Sequence, residues 1–153
     1  MKLTFQERCF RDMFRSYRYH QKEIKKLTAE IESLKAKQGK LPTVKIKVKS
    51  SMDDWPFIET SETVEAVDPV KNLILERRIW ERERVIKAYF KELEEVDNFI
   101  LGIDDELTRK VFELHYYEGI SQTEIAAELH YTQGYINQLI MREFKHRQKS
   151  NNL

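Results

Sequence analysis

A mainly α chain is predicted, in which long N-terminal helices form a coiled-coil-like hairpin or a dimerisation segment and a C-terminal module packs three shorter helices. Three observations predict it. Only four Gly and three Pro punctuate 153 residues, 35% of them charged, a composition that favours long helices over a sheet. Two stretches repeat apolar residues at three- and four-residue steps. After Gly102, short segments each open on a capping residue and close in a turn.

The first stripe runs Phe10, Met13, Tyr17, Ile24, Leu27, Ile31 and Leu34, interrupted only by His20. This spacing predicts a helix with a heptad seam that ends near Gln38, ahead of Gly39 and Pro42. Phe10-Arg11 and Phe14-Arg15-Ser16-Tyr17-Arg18-Tyr19 also interleave aromatic and basic side chains, as single-strand nucleic-acid binders do. Phe10, Met13 and Tyr17 already lie on the seam, so packing is preferred to base stacking. Arg11, Arg15 and Arg18 are left for phosphates.

Thr43-Val44-Lys45-Ile46-Lys47-Val48-Lys49 alternates apolar and basic residues, the period of a half-buried strand. A partner from about Phe57 to Val64, after a turn through Ser50 to Asp54, would set an acidic strand against the Lys-rich one. A flexible linker is the alternative, and the pattern leaves both open.

The second stripe is Leu75, Ile79, Ile86, Tyr89, Leu93, Val96 and Ile100, interrupted by Arg82. Asp68-Pro69 supplies an N-cap and a proline suited to the first helical position, and Gly102 supplies the exit. The predicted helix, 69–101, spans roughly 50 Å at ~1.5 Å per residue. Trp80, Val85 and Phe90 are expected to widen its apolar face. Two such stripes serve an antiparallel hairpin within one chain or a zipper between two, because both bury the same apolar area; a homodimer is the expected state. The chain is thus divided into a basic helix (1–39), a linker with a possible short hairpin (40–67), a second long helix (68–102) and a compact module (103–153).

Charge is polarised along this order. Residues 1–50 carry nine more basic than acidic side chains, and residues 51–106 carry nine more acidic than basic, so the two blocks should attract. Cys9 is the single cysteine, which excludes an intrachain disulfide and a thiolate metal cluster. With no signal-length apolar run and no membrane-length uncharged stretch, a cytoplasmic protein of a bacterial cell is expected. His20, His115, His130 and His146 have no metal-ligand spacing, and no phosphate loop, nucleophile elbow or triad spacing occurs. Neither an enzyme nor a metal or cofactor site is expected.

The C-terminal module carries the functional signal. Asp104 is expected to cap a helix containing Leu107, Val111 and Leu114, which Gly119 ends. Ser121-Gln122-Thr123-Glu124 is a capping box that opens a short helix with Ile125, Ala126 and Leu129 inward. Ala126 provides the small side chain that two steeply crossing helices need where they touch. His130-Tyr131 forms a turn, and Thr132 caps a last helix with Ile136, Leu139 or Ile140, and Phe144 toward the core. Gln133, Gly134, Tyr135, Asn137, Gln138, Met141 and Arg142 fall on its outer face. These are the spacings of a helix-turn-helix.

Glu118 to Leu129, followed by Tyr131-Thr132, Ile136 and Gln138, resembles region 4 of bacterial sigma-70 factors over about Asp104 to Arg147. The resemblance implies a module that reads promoter DNA through its last helix and contacts RNA polymerase. The wider layout is similar to phage late-gene regulators of the ArpU/RinA type, which implies activation of late or packaging genes. Sigma recognition helices are usually rich in Arg at their N-terminal end, whereas Gln133, Gly134 and Tyr135 stand here. Amides still specify sequence, since Asn and Gln pair with adenine in the major groove. Gln133, Tyr135, Asn137 and Gln138 are therefore the expected base-contacting residues on double-stranded DNA, with Thr132, Arg142, Lys145 and Arg147 at phosphates. So few cations predict weak binding unless a dimer, the basic N-terminal block or polymerase assists. A full sigma factor is not expected, because no second module for strand opening is legible in the N-terminal half. Two other readings stay open: a small-terminase-like DNA-packaging subunit, and a helical adaptor that binds no DNA. Glu118, Glu124 or Glu128 would repel a duplex it faced, but all three fall on the first two helices of the module, away from the groove-facing one.

Overall fold

The computed structural model describes residues 4–51 and 59–151, with side chains described for 4–47 and 62–147. In chain order the elements are α1 (Phe5–Arg15), α2 (Tyr17–Gly39), β1 (Thr43–Ser51), β2 (Glu59–Val67), α3 (Pro69–Leu101), α4 (Glu106–Phe112), a π-helical turn (Glu113–Tyr117), α5 (Gln122–Leu129) and α6 (Gln133–Asn151). The chain is mainly helical, as its composition predicts. It forms two compact units, one of Met1–Lys25 with Ile86–Leu153 and the other of Lys26–Val85.

The single N-terminal helix expected from the stripe is two. Thr4 opens α1 with a capping box, its hydroxyl accepting the Glu7 N–H while the Glu7 carboxylate accepts the Thr4 N–H. Ser16 then separates the helices. Its hydroxyl donates to the Asp12 carbonyl at 3.0 Å, a back-bond one turn down that bends helices, and the chain resumes as α2 at Tyr17.

In the first of these units, α1, the first turns of α2 and the last turns of α3 share one core with α4 to α6. Phe14 is its hub. Its ring lies 5.0 Å from Phe99, 5.1 Å from Tyr116 and 5.1 Å from Phe144, each edge to face, the arrangement aromatic quadrupoles favour. Val96, Ile100, Val111, Phe112, Ile125, Ile136 and Ile140 complete it, all essentially inaccessible. At one edge the Tyr17 and Tyr117 hydroxyls both donate to Asp97 Oδ1, at 2.9 and 2.6 Å. Burial, then the bond to Asp97, pushes Tyr17 up to about 12 and raises Tyr117 as well. His20, which interrupts the first stripe, stacks on Tyr89 at 4.3 Å and brings Nδ1 to 3.0 Å from Glu92.

In the other unit, Ile31, Leu34 and Ile79 are buried, Gln38 Nε2 donates to Asn72 Oδ1 at 2.7 Å, and Arg82 Nε donates to Glu30 at 2.7 Å. Within each unit the parts of the two stripes it holds therefore pair antiparallel, and the residue that interrupts each stripe makes a polar contact across the seam, as register-setting groups do. Asp68 caps α3 by accepting from the Val70 and Lys71 N–H groups. Trp80, Val85 and Phe90 do not widen the buried face of α3. Trp80 is 59% exposed and carries the Arg84 guanidinium over its ring.

The alternating segment is a strand, not a linker. β1 and β2 pair antiparallel, Thr43 opposite Val67 and Lys45 opposite Glu65, with Ile46 opposite Val64 on the other face. The partner strand runs three residues beyond the expected Val64, which brings Glu65 across from a lysine, where opposite charges attract. The expected turn through Met52, Asp53 and Asp54 lies outside the described residues.

Candidate nucleic-acid interface

Each boundary of the C-terminal helices has a local cause. Asp105, rather than the expected Asp104, caps α4, because only from position 105 does the third residue on offer a hydroxyl. The Asp105 carboxylate accepts both the backbone N–H (3.1 Å) and the side-chain O–H of Thr108, and these bonds hold it below its ordinary pKa. The helix expected through Leu114 widens into the π-helical turn, where Glu118 N–H reaches Glu113 O at 3.2 Å. The extra residue buries Tyr116 while Tyr117 reaches Asp97. Gly119 follows at φ +74°, and a Cβ there would overlap the Arg18 guanidinium.

The capping box of α5 forms as read, Ser121 Oγ accepting from Glu124 N at 3.3 Å and Glu124 Oε2 from Ser121 N at 3.1 Å. Ile125 and Ala126 are buried. His130 ends α5 in the left-handed region, at φ 60°, and the Tyr131 N–H returns to Ala126 O at 2.9 Å. Three residues after α5, α6 begins, with the Tyr135 N–H on Thr132 Oγ1 at 3.3 Å. Its first turn holds no acidic side chain, so the positive end of its dipole is unopposed by a local carboxylate.

α6 divides cleanly between core and outer face. Ile136, Leu139, Ile140 and Phe144 are all buried, while Gln133, Gly134, Tyr135, Gln138 and Arg142 are exposed. Asn137 and Lys145 are half-buried. Tyr135, Asn137, Gln138, Arg142, Lys145 and His146 line one surface depression along the helix. Met141 departs from expectation, for it is buried with Arg11 Nη1 3.8 Å from its sulfur. Gln133 Nε2 donates to Gln122 Oε1 at 2.8 Å, tying α6 to the start of α5. Arg147 is drawn back toward the core, its guanidinium 4.5 Å above the Phe99 ring.

Residues 105–146 match the family model of sigma-70, region 4. The matched stretch opens on the N-cap of α4 and closes within α6, so it holds α4, α5, the turn and most of α6, a little over a quarter of the chain. It agrees with the resemblance read from the sequence to within a residue at each end. No curated protein and no solved structure matches the chain. The contacts of Arg11 with Met141 and of Arg147 with Phe99 join the matched segment and its flank to the rest of the unit. Tyr131, read from the sequence only as part of the turn, is 46% exposed with its ring 5.1 Å from that of Tyr135, a contact that the four-residue aromatic spacing signals. Among the described residues no group of three or more His, Cys, Asp or Glu is placed to hold a metal ion, and no helix is long and apolar enough to cross a membrane.

Proposed function

We propose that this chain is a sequence-specific, DNA-binding transcriptional regulator that lays α6 in the major groove. The observation that carries the reading is the polar outer face of α6, free of the core, within a segment that matches sigma-70 region 4. Gln138 lies at its centre, and Gln133, Tyr135 and Asn137 complete the base-contacting set. A Gln or Asn that pairs with adenine through both amide groups contributes roughly 1–3 kcal/mol of discrimination against other bases. Thr132, Arg142, Lys145 and Arg147 are assigned to phosphates, Arg147 after leaving the Phe99 ring. The resemblance to phage late-gene regulators supports a finer role, activation of late genes at a promoter together with RNA polymerase. A homodimer on a two-fold site would need a surface other than the two stripes, which are spent within the chain.

The test is a duplex selection followed by binding measurements at fixed salt. Gln138→Ala is expected to weaken the selected site by about tenfold or more and random DNA hardly at all, whereas Arg142→Ala weakens both and flattens the salt dependence. Uniform loss on every sequence from Gln138→Ala contradicts direct readout. Failure of the unaltered chain to bind any duplex at low salt favours the adaptor reading, and a ring-sized mass in solution favours the packaging subunit.

A further inference from the structure

α6 and its flanks supply few cations, yet a basic ridge lies beside them. Arg8, Arg11, Arg15 and Arg18 recur at three- and four-residue steps, which places all four along one side of α1 and the first turn of α2. Phe14 and Tyr17 turn the adjacent side into the core, so the arginines run along its flank. Two contacts fix where that flank lies. Arg11 Nη1 touches Met141, whose neighbours Gln138, Arg142 and Lys145 line the depression on α6. Arg18 lies against Gly119, two residues before the Ser121 cap of α5.

The exposed members of the ridge are short of internal partners. Arg11 is held more closely, its guanidinium bonded to the buried Tyr116 hydroxyl, although its Nε is buried without a hydrogen bond. Arg8 and Arg15 are exposed, and Arg15 meets Asp12 only at 3.8 Å, with both side chains mostly in solvent. The Glu7 carboxylate, next to Arg8 in the chain, is taken by its capping box. From Arg8 to Arg18 the ridge covers roughly 15 Å at ~1.5 Å per residue. One strand of duplex DNA presents about four phosphates over that distance.

We propose that Arg8, Arg11, Arg15 and Arg18 form a second phosphate-binding surface, along which the DNA backbone beside the α6-bound groove is held. The inference rests on the DNA-binding reading of α6 and assigns the basic N-terminal block a place in the same complex. The ridge supplies affinity without base discrimination, and α6 supplies discrimination.

Binding of a labelled random-sequence duplex pool, measured across a salt series, tests this with the whole chain. Arg8→Gln with Arg15→Gln removes two exposed charges that the core does not use, so the fold is retained. The slope of log affinity against log salt is expected to flatten by about 1.8, roughly 0.9 for each phosphate that is no longer neutralised. Adding Arg11→Gln and Arg18→Gln doubles that change, while Arg11→Lys with Arg18→Lys restores most of it. The ratio of selected-site to random-pool affinity should stay constant throughout. An unchanged slope in the Arg8, Arg15 variant overturns the ridge and leaves α6 readout standing if Gln138→Ala still abolishes discrimination. If the unaltered chain binds no duplex, both readings fall together.

Discussion

Phe14 sits where one ring touches α3, α6 and the π-helical turn at once, so it carries more of the core than its place in a short first helix suggests. Phe14→Ala removes the ring against which Phe99, Phe112, Tyr116 and Phe144 pack and leaves a cavity, and is expected to cost about 3–5 kcal/mol in denaturant unfolding. The Tyr17 and Tyr117 hydroxyls act differently. Folding raises the pKa of Tyr17 from 10.0 to about 12, so the native state favours the neutral phenol. That contribution is fully present below pH 10 and fades as pH climbs toward 12. Tyr17→Phe should therefore cost roughly 1–2 kcal/mol at neutral pH through the missing bond to a carboxylate and make stability less sensitive to alkali. Unfolding free energies followed upward from neutral pH check both; identical alkaline limbs for variant and parent would contradict the raised pKa of Tyr17. Residue-level surprises share a cause. Met141 has the period of an outer-face residue, yet it is buried, with Arg11, distant in sequence, against its sulfur. Asp105 displaces Asp104 because of one hydroxyl at Thr108.

At the scale of elements, much was legible. The bounds of α3, the Ser121 box, the turn and the core face of α6 were all readable, since each depends on residues within a few positions. Less legible were features that leave the apolar period intact. The Ser16 break passes beneath a continuous heptad stripe, and the π-helical turn keeps Leu107, Val111 and Leu114 at helical spacing. Half of the candidate interface was equally plain, because exposure of Gln133, Tyr135 and Gln138 follows from the burial of Ile136, Leu139 and Ile140. Arg11, Arg15 and Arg18 were legible as cations free for phosphates, but not their nearness to α6, which is a tertiary fact. Gly134 offers a direct probe of the first turn of α6. Nothing lies within 4 Å of a Cβ there, so Gly134→Ala should stabilise the fold by about 0.5–1 kcal/mol. Where the backbone meets DNA closely, the same methyl weakens binding. Thermal unfolding and duplex titration read the two effects, and unchanged affinity would place that turn away from the duplex.

For the molecule as a whole, each unit buries its own stretch of the two stripes within the chain. The matched module does not own its core: Phe14, Val96, Phe99 and Ile100 lie outside residues 105–146 and are buried against Phe112, Ile136 and Phe144. Residues 103–153 expressed alone are expected to lose the fixed aromatic packing seen by near-ultraviolet circular dichroism while keeping some helix. Native-like aromatic bands from that fragment would show that the module folds unaided. The same sharing bears on how the chain is made. Phe14 leaves the ribosome long before Phe144, so the hub waits, unfilled, until α6 has been synthesised. Products of termination ahead of α6 lack Ile136, Leu139, Ile140 and Phe144, and so cannot close the core that the N-terminal helix has begun.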